Sequence, residues 1–507
     1  MDLMQSGTTT RRFTTLSVLC AGIAFFHSSQ LLAASDAVTS AGRITSAGLV
    51  QQQQDLPSLT GEVAEPALAH VPDFLTINQA VQRAIQWHPD IAQAVGRMLE
   101  QANQVDVAKA KYYPQISAGM NNGYSNAYTE KGFSPSFVLS ISQMLYDFGK
   151  VSSSVRSAEA GVAMEQANVL VSIDTVAHDT AAALVEVQGY QELVKIAQQQ
   201  LDALSKIGVL ARQRNDEGAA SLSDATQTDA RIEGARTTLI QYQANLDRWR
   251  ATLATYLGWP LVKKVSEEFP VNLTRSCAIG KADDKLNPSV LSAWAQANQA
   301  QAKLDNANAQ NMPTISLEPQ VTHYLNNHYS GSETLDRTQY QAFVNVQMPL
   351  YQGGGITAAR DAAANALQAA NAAVNSARLK ARQQLSESQS AALSLSQSLS
   401  IMGRQQTLGE KTQQLYQDQY LQLGTRPLLD VLNAEQEVFQ TRFTLQQTIS
   451  QLRSLQLDCL YSTGHMQSAF ALNNQRDQNV EIQPVHNYNL TMPPRVIPAI
   501  LRVATLH

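Results

Sequence analysis

Cysteine, aromatic residues and long apolar runs are all scarce in this chain of 507 residues. Aromatic side chains make up only 6% of it, which is little for several compact cores. Of its three cysteines, only Cys277 and Cys459 lie beyond the N-terminal region, too few for a disulfide framework. An exported protein could pair them, but we expect two unpaired thiols. No run of about 18 apolar residues follows the N-terminal region, so the sequence predicts no transmembrane helix.

Charge is sparse as well, because only 16% of residues are Asp, Glu, Lys or Arg. The formal net charge of −5 gives no reason to expect nucleic acid as a partner. The sequence motifs of metalloproteases, redox dithiols, phosphate-binding loops and nucleophile elbows do not occur in it. The sequence therefore predicts no catalytic residue, no metal site and no cofactor. Ala, Gln, Ser and Asn are abundant instead, and they suit long, closely packed helices with water-exposed surfaces.

The N-terminal region has the pattern of a secretory signal peptide. Arg11 and Arg12 precede an apolar stretch at 16–26, and small residues follow at 33–35. Cys20 lies inside that stretch behind Leu19, where lipid attachment would require a small residue, so we expect no lipid anchor. We assign residues 1–34 to the signal peptide and 35–72 to a flexible segment.

The rest of the chain is duplicated, because similar landmarks recur in the same order. The spacing is 199 residues early in the repeat and 205 or 206 later, which indicates an insertion of about six residues in one copy. The pairs are Pro89 and Pro288, Pro114 and Pro313, Tyr146 and Tyr351, Gly218 and Gly424, and Asp224 and Asp430. We place the first repeat at 73–274 and the second at 275–465. A periplasmic, largely irregular tail is expected at 466–507.

Each repeat predicts a helix, two strands, a very long helix and a shorter helix. In the first repeat these are a helix at about 78–112, strands within about 114–147, a long helix from Lys150 to about Asn215, and a last helix from Ser223 to Leu257. The second repeat has strands within about 313–351. Pro114, Pro313, Tyr146, Gly149, Tyr351 and Gly353 mark the boundaries between helices and strands.

The strands alternate with a period of two, and only one face is apolar. Ala342, Val344, Val346, Met348 and Leu350 alternate with Gln341, Phe343, Asn345 and Gln347. Tyrosines gather at the strand ends, as in an interfacial girdle. A soluble hairpin on a periplasmic coiled coil would also fit. The strand length favours a membrane instead. Open sheet edges are not tolerated in lipid, and they would be removed if three chains each contributed four strands to one closed barrel.

These landmarks, in this order, resemble the TolC family of outer-membrane efflux and type I secretion proteins. The resemblance rests on the stretch 75–84, His88-Pro89-Asp90, Tyr113-Pro114, Tyr146-Asp-Phe-Gly149, Gly218 with Asp224, and the stretch 420–432. It covers roughly residues 73–465. It implies a mainly α fold with a small β portion, in which the duplicated helix-strand-strand-helix-helix repeat forms, as a homotrimer, a long α-helical barrel continuous with a 12-stranded transmembrane β-barrel.

The resemblance also implies location and partners. The protein would lie in the outer membrane of a Gram-negative cell, in contact with its lipid, and extend into the periplasm. There a periplasmic adaptor (membrane fusion) protein and an inner-membrane ABC or proton-driven pump would dock. The duct would pass polypeptides or small molecules, and the expected lack of a lipid anchor favours polypeptides. The alternative is a structural periplasmic coiled-coil or adaptor protein.

A gate at the periplasmic tips follows from the same resemblance. The tip turns are Gly218 and Gly424. Arg426 is expected to bind Ser223 and Asp224, of its own chain or a neighbour, and so to hold the tips closed. Asp430 matches one ring residue of the constriction, and the second position holds Asn433, a departure that removes one acidic ring.

Overall fold

The computed structural model describes residues 71–125, 132–133, 135–218, 220–278, 280–325, 337–472, 476–477 and 480–481. The predicted signal peptide, nearly all of the segment 35–72, and the strand-connecting loops at 126–131 and 326–336 lie outside the described residues. Most of the tail beyond Leu472 does too.

The first repeat follows the predicted order of elements. Its elements are β1 (Phe74–Leu75), α1 (Ile77–Trp87), α2 (Pro89–Ala110), β2 (Gln115–Asn121), β3 (Tyr124–Ser125), β4 (Gly132–Phe133), β5 (Ser136–Tyr146), α3 (Lys150–Asp216) and α4 (Leu222–Leu257). The first predicted helix is in fact two, because Pro89 keeps His88 out of the helical conformation, at φ −63° and ψ 129°. Pro89 then begins α2, where its missing N–H is harmless.

A connecting segment and the second repeat complete the fold. The elements are β6 (Lys264–Val265), α5 (Val271–Thr274), a 3₁₀ turn (Ser276–Ala278), α6 (Pro288–Ala309), β7 (Thr314–Tyr324), β8 (Thr338–Gln347), α7 (Gly355–Asp418), a π-helical turn (Gln419–Leu423), α8 (Leu428–Thr463), α9 (Met466–Ala469), β9 (Arg476–Asp477) and β10 (Val480–Glu481). The predicted long helices are confirmed, with 67 residues in α3 and 64 in α7. Each spans about 100 Å at 1.5 Å per residue.

The four long strands form one antiparallel sheet in the order β2-β5-β7-β8. Each repeat contributes one hairpin, and β5 joins β7 at the centre. Strand β8 ends at Gln347. Met348 and Leu350, which the alternation placed in the strand, therefore lie outside it. Pro349 explains the early end, because it has no N–H to donate to a strand ladder.

The packing of the helices centres on α3, which contacts α1, α2, α4, α6, α8 and the short α9. The expectation of unpaired thiols is wrong, because Cys277 and Cys459 form a disulfide that ties the 3₁₀ turn to the end of α8. Across the ranges given above, no helix combines the length and the apolar character needed to cross a membrane.

Candidate functional site

The sheet has one apolar and one polar face, as the alternation predicted. Strand register places Ile315 opposite Val346 and Leu317 opposite Val344. The pairs Phe137–Met120 and Leu139–Val321 extend the same face across β2, β5 and β7. Most of these side chains are exposed in the single chain, Val344 at 65%. A continuous exposed apolar surface of this kind marks a lipid or protein contact.

The opposite face is lined mainly by hydroxyls and amides, with one carboxylate. Ser117 and Ser140 share a hydrogen bond of 2.7 Å between β2 and β5. On β7, Glu318 Oε1 accepts hydrogen bonds from Ser316 Oγ (2.7 Å) and from Asn345 Nδ2 of β8 (3.2 Å). This face is suited to water.

The predicted boundary residues lie where helices meet strands. Pro114 and Pro313 directly precede β2 and β7. The exposed Tyr146 is the last residue of β5, and the exposed Tyr351 lies four residues after β8. The turns into α3 and α7 need left-handed backbone, which glycine supplies at Gly149 (φ 97°) and at Gly353 and Gly354.

The other end of the helices carries two turns, which we call the first tip (217–224) and the second tip (419–430). Gly218 and Gly424 both have positive φ there, as their turns require. In the first tip, Ser221 is the N-cap of α4 and forms a capping box with Asp224, whose carboxylate accepts a hydrogen bond from the Ser221 backbone N–H. Ser223 Oγ lies 2.8 Å from Ser221 Oγ.

The proposed bond from Arg426 to Ser223 and Asp224 is not formed within the chain. Arg426 Nη1 instead pairs with Asp430 Oδ2 at 3.0 Å, and Arg426 Nε donates to Gln419 Oε1 at 3.1 Å. Its guanidinium also lies 4.2 Å from the centre of the Tyr416 ring. The physical reason is proximity, since Arg426 lies in the loop just before α8 and Asp430, in the first turn of α8, is only four residues away. The latch is therefore not formed within the single chain, and a bond from Arg426 to a neighbouring copy stays a prediction.

A different arginine joins the end of α3 to the second tip. Arg214, in the last turn of α3, donates from Nη1 to the Tyr420 carbonyl at 3.2 Å and from Nη2 to the Leu421 carbonyl at 3.4 Å. Its guanidinium lies 4.3 Å from the centre of the Tyr420 ring. Asn433 accepts from Arg231 Nη2 of α4 at 3.3 Å. Only the position of Arg214 four residues before Gly218 could have suggested this contact, because its acceptors are backbone carbonyls in the other repeat.

A shared apolar core lies beneath the two tips. It combines Leu204, Ala211, Ile232 and Ala235 of the first repeat with Tyr420, Leu428, Val431 and Leu432 of the second. The helices that lead to the two tips are therefore packed together, and the second tip contributes Tyr420 and Leu428 to their core.

Midway along α3, two titratable groups lie one turn apart. His178 binds Asp179 through Nδ1 (2.9 Å) and Asp458 of α8 through Nε2 (2.8 Å). Desolvation alone would lower the pKa of His178, but the two carboxylates outweigh it and raise the pKa to about 9. Burial raises the pKa of Asp174 to about 7, and Gln467 only partly opposes this.

Solved structures with this arrangement are outer-membrane channels. The chain superposes on VceC from Vibrio cholerae with a TM-score of 0.67 at 17% identity, covering 76% of this chain and 96% of that one. It superposes on the open state of the MtrE channel from Neisseria gonorrhoeae with a TM-score of 0.64 at 18% identity, covering 79% and 94%. These likenesses confirm the predicted fold class.

Sequence comparison gives the family. The model of the family described as outer membrane efflux protein matches residues 80–259 and 284–457. The outer membrane efflux protein BepC of Brucella suis is 24% identical over 376 residues, covering 72% of this chain and 80% of that protein. The chain belongs to the outer membrane efflux protein family. It is therefore a channel protein of the outer membrane and not an enzyme.

Proposed function

We propose that three copies of this chain form one passive exit duct through the outer membrane and the periplasm. The observation that carries the proposal is the four-stranded sheet, which has an exposed apolar face and two edge strands, β2 and β8. In lipid, unpaired edges are costly because no water can satisfy their backbone groups. Pairing β8 of one copy with β2 of the next would close a twelve-stranded barrel and remove every edge.

The exposed face of α7 supports the same assembly. Only six residues of this 64-residue helix are buried, and a stripe of large apolar side chains stays in contact with water. The stripe consists of Leu379, Leu393, Ile401, Leu408 and Leu415, which are mostly seven or eight residues apart. Such spacing suits packing against another helix, here one from the neighbouring copy.

The duct would work with a periplasmic adaptor and an inner-membrane pump that meet it at the tips. BepC is named an efflux protein, which supports export as the process. The pump would choose the cargo, a polypeptide or a small molecule.

The tips would act as the gate of the duct. MtrE was solved in an open state, which supports a tip region with more than one conformation in channels of this fold. In this chain, the Arg214 contacts would keep the second tip against the first, while Arg426 with Asp430 would shape the second tip. A bond from Arg426 to a neighbouring copy would have to compete with the Asp430 pair.

Fractionation and conductance test the proposal together. The full chain, expressed in a Gram-negative host, should sediment with outer membranes, migrate as a trimer before heating and as a monomer after it, and form pores in planar bilayers. In a strain that lacks its own exit duct but keeps adaptor and pump, it should restore export. Recovery as a soluble periplasmic monomer would contradict the proposal.

A further inference from the structure

One residue gives the sheet its only formal charge. Within the described strands β2, β5, β7 and β8, Glu318 is the single Asp, Glu, Lys or Arg. It lies five residues into the eleven-residue strand β7, away from both ends of the sheet. Its side chain is on the polar face, opposite the face that carries Leu317 and Val344.

The carboxylate is held in place but not neutralised. Ser316 and Asn345 both donate to Oε1, which fixes the side chain against β7 and β8. In the described part of the chain no Lys or Arg forms an ion pair with Glu318, whereas Asp430 at the second tip is paired with Arg426 at 3.0 Å. Of Glu318 and Asp430, it is therefore Glu318, in the sheet, that has no cationic partner in the described part of the chain.

We propose that Glu318 is the residue that makes the barrel section of the duct prefer cations. This inference rests on the proposed trimer, in which symmetry places three Glu318 carboxylates at one level of the lumen. Cations and cationic cargo would be concentrated there, and anions would be depleted. The surrounding lumen residues, such as Gln320 and Gln341, are neutral and do not offset the charge.

Geometry sets the expected size of the effect. Twelve strands about 4.8 Å apart and tilted about 40° give a backbone radius of about 12 Å. A glutamate that reaches about 5 Å inward leaves its charge about 7 Å from the axis. Screened Coulomb attraction from three such charges enriches a monovalent cation on the axis about tenfold at 0.01 M salt, about threefold at 0.15 M, and hardly at all at 1 M.

The test is the ratio of K⁺ to Cl⁻ permeability of the purified full-length trimer in planar bilayers, obtained from reversal potentials under a KCl gradient. The wild-type protein should prefer K⁺ strongly near 0.01 M and lose the preference near 1 M. Glu318→Gln should reduce the ratio at low salt by about tenfold or more. Glu318→Lys should favour Cl⁻.

A matched rescue variant separates charge from structure. Gln320 shares the strand and the face, so Glu318→Gln with Gln320→Glu should recover most of the preference for K⁺. Pores of normal conductance whose ion preference is unchanged in Glu318→Gln would overturn the inference and leave the duct standing. A wild-type pore without cation preference at low salt would overturn it as well, even if no variant assembled. A wild-type chain that forms neither trimers nor pores would instead overturn the proposed function.

Discussion

The two long helices occupy equivalent places in the two repeats, yet they differ sharply in burial. Helix α3 buries 25 of its 67 residues, and α7 buries six of its 64. Helix α3 contacts six other helices, whereas α7 contacts chiefly α6 and α8. The duplicated sequence therefore gives one helix that completes the core of the single chain and one whose surface is left for another molecule. Equivalent positions in a repeat need not have equivalent roles.

The strongest test of this difference in burial compares two leucines, one in each helix. Leu184 of α3 is fully buried, and Leu408 of α7 is 66% exposed. Leu184→Ala should lower the free energy of unfolding by about 2–5 kcal/mol, because it leaves a cavity in the core. Leu408→Ala should change it by no more than about 0.5 kcal/mol but should reduce the trimer fraction.

Urea unfolding of the single chain and native mass analysis of the assembled protein would check the two effects separately. Equal loss of chain stability in both variants would mean that α7 is part of the core, and the contrast between the helices would fail.

A second test compares the two faces of the sheet, where the exposed apolar residues should contact lipid instead of protein. Val344→Arg should destabilise membrane assembly by about 2–4 kcal/mol, as expected for a charge facing lipid near mid-depth. Asn345→Arg, one residue along and on the polar face near Glu318, should be tolerated. Assembly in outer-membrane vesicles, followed by heat-modifiable migration, measures both, and equal tolerance would contradict the assignment of faces.

Alkaline pH should weaken the packing of α3 against α8. The pKa of His178 is about 9 in the fold and about 6.5 in an unfolded chain. The contribution of His178 to the free energy of unfolding is therefore complete below about pH 6.5. That contribution, about 1–3 kcal/mol, is lost as the pH rises through 9.

His178→Gln should flatten the pH dependence of the unfolding free energy between pH 7.5 and 9.5. Asp174 titrates mostly below that window, since its pKa is about 7, so it contributes little to the change there. An unchanged slope in the variant would show that another group causes it.

The smallest effect concerns the contact between Arg214 at the end of α3 and the π-helical turn that follows α7. Arg214→Gln removes two hydrogen bonds and a cation–π contact, so it should lower the free energy of local opening of the second tip by about 1–2 kcal/mol. Arg426→Ser removes one partly exposed pair within the second tip and should lower that free energy by about 0.5 kcal/mol or less.

Hydrogen exchange at residues 419–423 and the resting conductance should both rise more in the Arg214 variant. A larger leak from Arg426→Ser, without faster exchange, would instead favour a latch between neighbouring copies.

Sequence periodicity was sufficient for the elements of this fold and insufficient for some of its long-range contacts. Alternation along β7 and β8 identified the apolar face, and the proline-free stretches identified α3 and α7. A period reports which face of an element is apolar, but it does not report which element covers that face. The break at His88 was missed even though the proline was visible, because helical periodicity continues across it.

The tips show the same limit more clearly. Similarity suggested Arg426 and Asp224 as partners, but each has a partner within four residues along the chain, Asp430 for Arg426 and Ser221 for Asp224. Arg214 was missed because its acceptors are backbone carbonyls, which carry no residue-type signal. The disulfide was missed because two cysteines 182 residues apart give no indication of their distance in space.

That disulfide makes a closed covalent ring of most of the second repeat. The ring runs from Cys277 through α6, both strands and α7 to Cys459, so the hairpin of β7 and β8 lies on a loop whose two ends are tied together. It can close only after the end of α8 has been made and exposed to an oxidising compartment. Once it has closed, a protease that cuts the backbone anywhere inside it leaves a single molecule, and the two pieces separate only when a reductant is added.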